Sequence, residues 1–192
     1  VNGTTSASVN RVVARVDFNG DVDSSTGISD AFSANNVRGV VTQDGSQYWV
    51  TGSNSGVRNI AHGGGATTQM AATPTNIRNI DIQNGQLYIS TGASGFNGIT
   101  AVGTGVPNTS GQTSTLLPGF ASVTGLSIYD FTFVGTSTLY CADDSAGNLG
   151  LQKWTFDGTQ WTKQYTITAG LPANGRVRQF TTTTDSSGHT VI

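Results

Sequence analysis

Three of the seven arginines stand at one recurring place in the chain. Arg38 lies in Val37-Arg38-Gly39-Val40, Arg78 in Ile77-Arg78-Asn79-Ile80 and Arg178 in Val177-Arg178-Gln179-Phe180. In Ile128-Tyr129-Asp130-Phe131 the same place holds Tyr129. A guanidinium offers five donors in a fixed fork that matches the oxygens of carboxylates and phosphates. Three such groups and a phenol, brought together, would hold an anionic or hydroxyl-rich ligand. The plainer role is structural, each arginine binding neighbouring carbonyls or carboxylates and so pinning adjacent elements. Asp81, on the same stretch as Arg78, is a candidate counter-charge.

Other residues with chemical potential carry less. Asp17-x-Asn19-x-Asp21-x-Asp23 resembles the start of a calcium loop, but that loop needs Gly at its sixth position and Glu at its twelfth. Val22 and Ile28 stand there, and Asn19-Gly20 reads as a hairpin turn. Asp143-Asp144 precedes Ser145-Ala146-Gly147-Asn148 and reads as a solvated turn rather than a metal site. His62 and His189 have no carboxylate at motif spacing, so no metal site is assigned. Cys141 is the single cysteine, excludes an internal disulfide and reads as a buried, inert thiol in an apolar strand. Trp49, Trp154 and Trp161 could stack on sugars. Trp154 and Trp161 straddle a turn, which favours the core for them. There is no Gly-x-Ser-x-Gly elbow and no phosphate loop, so no catalytic residue or cofactor is assigned.

The composition says what kind of element holds these residues. All 11 acids are Asp, only Lys153 and Lys163 are lysines, and Glu is absent. Glu and Lys are the usual residues of exposed helix faces. Instead, 29 Thr, 17 Val and 10 Ile make the chain rich in β-branched side chains, which suit a pleated surface. With 26 Gly for turns, this is an all-β composition. A net charge of −2 with nine bases argues against a nucleic-acid groove. No apolar run approaches the length of a membrane-spanning helix. The low charge and abundant Thr, Ser, Asn and Gly suggest a secreted or cell-surface protein.

A repeat organises the strands. The stretch from Val37 to Gly52 aligns without a gap on that from Ile77 to Gly92; further copies start at Ile128 and Val177, giving spacings of 40, 51 and 49 residues. Each copy reads as a hairpin around Asp44-Gly45, Asn84-Gly85, Gly135-Thr136-Ser137 or Asp185-Ser186-Ser187-Gly188. Third strands are expected at 56–61, 98–102 and 150–156, and fourth strands near 67–70, 113–117 and 161–167. Four strands in 40–50 residues is the size of a β-propeller blade. The chain 1–192 then reads as one β-propeller region of about four blade-equivalents, built of four-stranded antiparallel blades. It comprises a half blade at 11–36, whole blades at 37–76, 77–127 and 128–176, and a half blade at 177–192.

Ile77-Arg78-Asn79-Ile80-Asp81-Ile82, with Gly85-Gln86-Leu87-Tyr88-Ile89 and Gly98-Ile99-Thr100-Ala101-Val102, resembles the NHL and YVTN-type repeats of secreted bacterial β-propellers. Leu139-Tyr140-Cys141-Ala142-Asp143 with Leu151-Gln152-Lys153-Trp154 resembles them too. The resemblance implies a propeller in which the first strand of each blade is innermost. Arg38, Arg78, Tyr129 and Arg178 would then converge at the mouth of the central channel.

The two half blades would pair to close a four-bladed ring, or further blades from the same polypeptide, a partner chain or a symmetry mate would complete a larger one. The short last strand, Thr190-Val191-Ile192, favours the second arrangement. The functional expectation is a binding or structural module with an anionic or carbohydrate ligand at the channel mouth. One alternative is an extracellular propeller enzyme of hydrolase, lyase or quinone-dependent type, its catalytic residues partly outside this chain. The other is a self-assembling surface or filament subunit.

Overall fold

The computed structural model describes residues 2–171 and 176–192. Residues 172–175, expected at the end of the third unit, lie outside the described residues. Sixteen strands are formed among the described residues, and a 3₁₀ turn at Phe120–Ser122 is the one helical element. Three sheets have four antiparallel strands each, in simple meander order. The first sheet holds β3 (Val37–Val41), β4 (Gln47–Gly52), β5 (Val57–Ala61) and β6 (Thr68–Ala71). The second holds β7 (Ile77–Gln83), β8 (Gln86–Thr91), β9 (Gly98–Val102) and β10 (Ser114–Leu116). The third holds β11 (Ile128–Val134), β12 (Thr138–Asp143), β13 (Gly150–Phe156) and β14 (Trp161–Ile167). Two-stranded hairpins precede and follow them: β1 (Arg11–Val16) with β2 (Val22–Ile28), and β15 (Thr183–Thr184) with β16 (Thr190–Val191).

The turn chemistry accounts for the hairpins. Between β7 and β8 both Asn84 and Gly85 take positive φ, 51° and 73°, as a two-residue turn matched to strand twist requires. The apolar residues sort into three clusters, each filling the space between successive layers. Val13, Ile28 and Phe32 pack on Tyr48, Val50 and Ile60 of the first sheet. Trp49, Val57 and Met70 pack on Ile77, Ile80, Leu87 and Ile89 of the second. Ile99 of the second sheet meets Phe131, Leu139, Cys141 and Trp154 of the third, with Phe120 stacked on Trp154 at 4.2 Å. Full burial of one such side chain contributes about 1.5–3 kcal/mol. Stacking the sheets sets their first strands side by side, β3 beside β7 and β7 beside β11.

All three tryptophans are buried, so none is a platform for a sugar. Trp49 donates from Nε1 to the Pro107 carbonyl at 2.7 Å, and Trp154 to the Gln152 side chain at 2.9 Å. Cys141 is fully buried, and burial pushes its thiol well above the ordinary range, as expected for an inert core cysteine.

The last hairpin departs from expectation. Val177 to Phe180 form no ladder, and pairing begins only at Thr183. Among the described residues the stretch has no neighbouring strand to pair with, and the threonines that follow are largely exposed. It is held instead by two side chains of the third sheet and its edge: Asp130 accepts from the Phe180 amide at 3.1 Å, and Asp144 accepts from Arg178. Among the described residues, β1 pairs only with β2 and β16 only with β15, so these strands do not close into a ring.

Candidate functional site

Each first strand of the three full sheets carries the same irregularity. In the first sheet Val37 faces Gly52 and Gly39 faces Thr51, which leaves Arg38 without a partner in the ladder. In the second, Ile77 faces Thr91 and Asn79 faces Ser90, skipping Arg78. In the third, Ile128 faces Asp143 and Asp130 faces Ala142, skipping Tyr129. Two residues of one strand opposing one of the other is a β-bulge, which breaks the alternation of side chains and re-aims them. That is why neighbours in sequence can share one cavity. Arg78 and Asn79 both line it, as do Tyr129 and Asp130, whereas a regular strand would send each pair to opposite faces.

The cavity has a volume of about 400 Å³ and is lined by Arg38, Arg78, Asn79, Tyr129, Asp130, Arg178 and Gln179. All four residues expected at the site are therefore in one pocket. Asn79, Asp130 and Gln179 were not expected there. The signal for Asn79 and Asp130 is their place one residue after the repeated position, once the bulge is known; Gln179 lies in the 177–180 stretch, which forms no ladder.

The cations differ in how far the protein itself satisfies them. Arg38 donates from one terminal nitrogen to Asn76 Oδ1 at 2.8 Å and to the Ile77 carbonyl at 3.3 Å, so it ties the first sheet to the second. Burial pulls its pKa below the ordinary arginine value, and the charge of Arg78 adds to that. Arg178 pairs with Asp144 at 3.1 Å, and Arg176 shares that carboxylate at 3.6 Å. Arg78 has no carboxylate partner among the described residues, and its buried Nε has no hydrogen-bond partner. Its guanidinium lies over the Tyr129 ring, 4.1 Å from the centroid, and that of Arg178 lies over the same ring at 4.8 Å. Gly92 leaves room for it: a Cβ there would stand 3.1 Å from an Arg78 terminal nitrogen.

Among the described residues, Asp130 is the one carboxylate on the wall. It accepts from Asn79 Nδ2 at 2.6 Å, from its neighbour's amide at Phe131 (2.9 Å) and from the Phe180 amide at 3.1 Å. Burial nonetheless holds its carboxyl above the usual aspartate range, with the charge of Asp81 a lesser cause. Asp81 does not neutralise an arginine. Its carboxylate accepts from the Ile82 amide and from the Gln83 side chain. Gly39 completes the close fit of β3 on β7, since a Cβ there would lie 3.0 Å from Ile80 Cγ2.

Three further sites differ from or extend the sequence reading. Asp143 and Asp144 are buried rather than solvated, at 0% and 5% exposure. Asp143 accepts from the amides of Ser127 and Ser145, from the Ser145 hydroxyl and from Gln152, which binds the turn after β12 to β13. Burial still holds its carboxyl above the usual range. His62 does have a carboxylate. The fold places Asp23 Oδ2 3.1 Å from its Nε2, with the Tyr48 hydroxyl 3.0 Å from Nδ1 and Arg15 3.8 Å from the same Asp23 oxygen. Those partners are far apart in sequence, so no spacing rule exposes them. The network fastens β2 to the first sheet. The calcium-like run is a hairpin turn in which Asp17 accepts from the amides of Asn19 and Asp21. Among the described residues, no group of three or more His, Cys, Asp or Glu is placed to share a metal ion. No described helix is long and apolar enough to cross a membrane.

No protein-family model matches the chain, and no curated protein matches it.

Proposed function

We propose that this chain is part of a secreted or cell-surface β-propeller that acts as a binding module. Its ligand, anionic or carbohydrate, would occupy the pocket of Arg38, Arg78, Tyr129 and Arg178. Further blades from the same polypeptide, a partner chain or a symmetry mate would complete the ring, and the three stacked four-stranded sheets support that arrangement. Resemblance to NHL and YVTN-type repeats points the same way.

The observation that carries the binding role is the state of Arg78. The protein brings this cation against two others, leaves its Nε unpaired and, among the described residues, gives it no counter-charge. A purely structural arginine would be expected to have its donors satisfied. Titration calorimetry of the wild type and Arg78→Ala with sulfate and with acidic and neutral glycans tests the reading. Binding in the wild type that the substitution abolishes, at nearly unchanged melting temperature, is the expected result. Binding unaffected by the substitution, or no binding by any probe, would remove the pocket's role.

A further inference from the structure

Resting on the pocket's being a binding site, we infer that its ligand is a hydroxylated carboxylate about the size of one sugar, of which a uronic acid is the ring form. Its carboxylate sits against Arg78 and Arg38 and a hydroxyl sits on Asp130. Four observations lead there.

The first is the balance of charge. Three arginines and one aspartate line the pocket, and Asp144 offsets Arg178 only in part because Arg176 shares it, so the wall keeps a small net positive charge. One carboxylate neutralises that. A polyanion would leave excess negative charge facing Asp130.

The second is the shape of the free donor set. Arg78 lines the pocket with no carboxylate partner among the described residues, and a carboxylate is the planar group that its guanidinium fork can hold with two parallel bonds. Arg38 stands beside it on the same wall, and the charge of Arg78, after burial, helps hold the Arg38 pKa below the ordinary arginine value. A shared anion relieves that repulsion.

The third is Asp130. An ionised carboxylate only accepts, at about four lone-pair positions. Three are taken, by Asn79, Phe131 and Phe180. The position that remains calls for a donor, and a ligand hydroxyl supplies one. Gln179 also lines the pocket, and its side-chain amide can bind a further hydroxyl.

The fourth is Tyr129. Neutral sugars are commonly held by stacking on an open aromatic face, but this ring already carries two guanidiniums within 5 Å of its centroid. Recognition must therefore run through charge and hydrogen bonds. A cavity of about 400 Å³ is at the small end for ligand pockets, which suits a single sugar unit.

The test titrates D-glucuronate, D-glucose, acetate and sulfate, at constant ionic strength, into the full chain by ligand-observed NMR. Glucuronate is expected to bind at least tenfold more tightly than the other three. Arg78→Lys, which keeps the charge but not the fork, should weaken glucuronate at least fivefold. Asp130→Asn should bring glucuronate down to the level of acetate while leaving acetate and sulfate no weaker. Gln179→Ala, at an exposed position off the strand ladders, gives a milder loss of the same kind and covers the case in which Asp130→Asn does not fold. Glucose binding as well as glucuronate would overturn the carboxylate half. Acetate or sulfate matching glucuronate, with no selective effect of Asp130→Asn or Gln179→Ala, would overturn the hydroxyl half and leave a plain anion pocket. If no probe binds, or binding survives Arg78→Ala, the proposal fails together with the binding role it rests on.

Discussion

Arg11 and Arg78 are the same residue type near the start of a strand, β1 and β7, yet their surroundings are opposite. Arg11 is only 4% exposed and has no carboxylate partner among the described residues, but the protein satisfies it. Its three nitrogens donate five hydrogen bonds: from Nε and one terminal nitrogen to the Phe32 carbonyl (3.2 and 3.1 Å), and from the terminal nitrogens to the Thr4 and Val9 carbonyls (both 2.6 Å) and to the Thr4 hydroxyl (3.2 Å). These bonds gather residues 4–9 and the segment after β2 around the N-terminal hairpin. Arg78 stands where three sheets converge, over an aromatic ring, with a buried donor unused. Arg11 is buried and Arg78 half-buried, so burial alone does not account for the contrast. The sharper difference is in their donors: every nitrogen of Arg11 is bonded, and Arg78 Nε is not.

The comparison is broken most directly at Arg11. Arg11→Ala should destabilise the fold by about 2–4 kcal/mol, because the Thr4, Val9 and Phe32 carbonyls lose a charged donor together. Arg11→Lys should recover only part of this, since one ammonium cannot reach three carbonyls in the guanidinium's geometry. Urea unfolding reads both. A loss below about 0.5 kcal/mol for Arg11→Ala would mean that satisfied donors do not mark a structural arginine here.

Gly39 tests whether the pocket depends on how closely β3 fits β7. A Cβ at this position would stand 3.0 Å from Ile80 Cγ2, 3.2 Å from Thr51 Oγ1 and 3.3 Å from the Ile80 amide nitrogen. Gly39→Ala must push the strands apart and should cost about 1–2 kcal/mol in urea unfolding. It should also weaken any ligand that Arg38 and Arg78 hold jointly. A fully stable Gly39→Ala would show that the bulged strands have slack.

His62 gives a smaller effect. His62→Ala removes the links to Asp23 and Tyr48, but the histidine and aspartate side chains are about one-third exposed, at 30% and 35%. Exposed ion pairs contribute little, so a loss of about 0.5–1 kcal/mol is expected by thermal unfolding. A larger loss would mark this network as a second structural anchor of the N-terminal hairpin, beside Arg11.

These contrasts also show which parts of the molecule the sequence could disclose. Third strands expected at 98–102 and 150–156 are Gly98–Val102 and Gly150–Phe156, and the Asn84-Gly85 turn was legible because only a few residue pairs tolerate positive φ twice. That Arg38, Arg78, Tyr129 and Arg178 share one pocket was legible because the repeat sets them in one column. The bulge beneath them was not, because it depends on which residues of the partner strand pair across the ladder. Without it, strand alternation puts Asn79 and Asp130 on the face opposite Arg78 and Tyr129. Asp143 and Asp144 were misread as a solvated turn, since Asp in a Ser/Gly/Asn context is a turn signal whether or not a neighbouring segment covers it. Val177 to Phe180 matched the strand pattern, but a ladder also needs a neighbour, and composition does not supply one.

The smallest expected effect on stability is also the sharpest. Arg78→Met keeps the aliphatic stem that packs beside Tyr129 and removes the guanidinium. The variant gives up the cation–π contact, about 0.5–1 kcal/mol in partly exposed settings. Against that, it removes a buried donor without a partner, whose cost is about 1–3 kcal/mol. It also removes the like charge that presses on Arg38, whose pKa should move back toward the ordinary arginine value. These terms nearly cancel or favour the variant, so urea unfolding should show a change within about 0.5 kcal/mol or a slight gain. Arg11→Met, in the same assay, should lose several times as much. A loss of about 2 kcal/mol or more at Arg78 would place it with Arg11 as a structural cation, and the pocket would then have no charge held in reserve for a ligand.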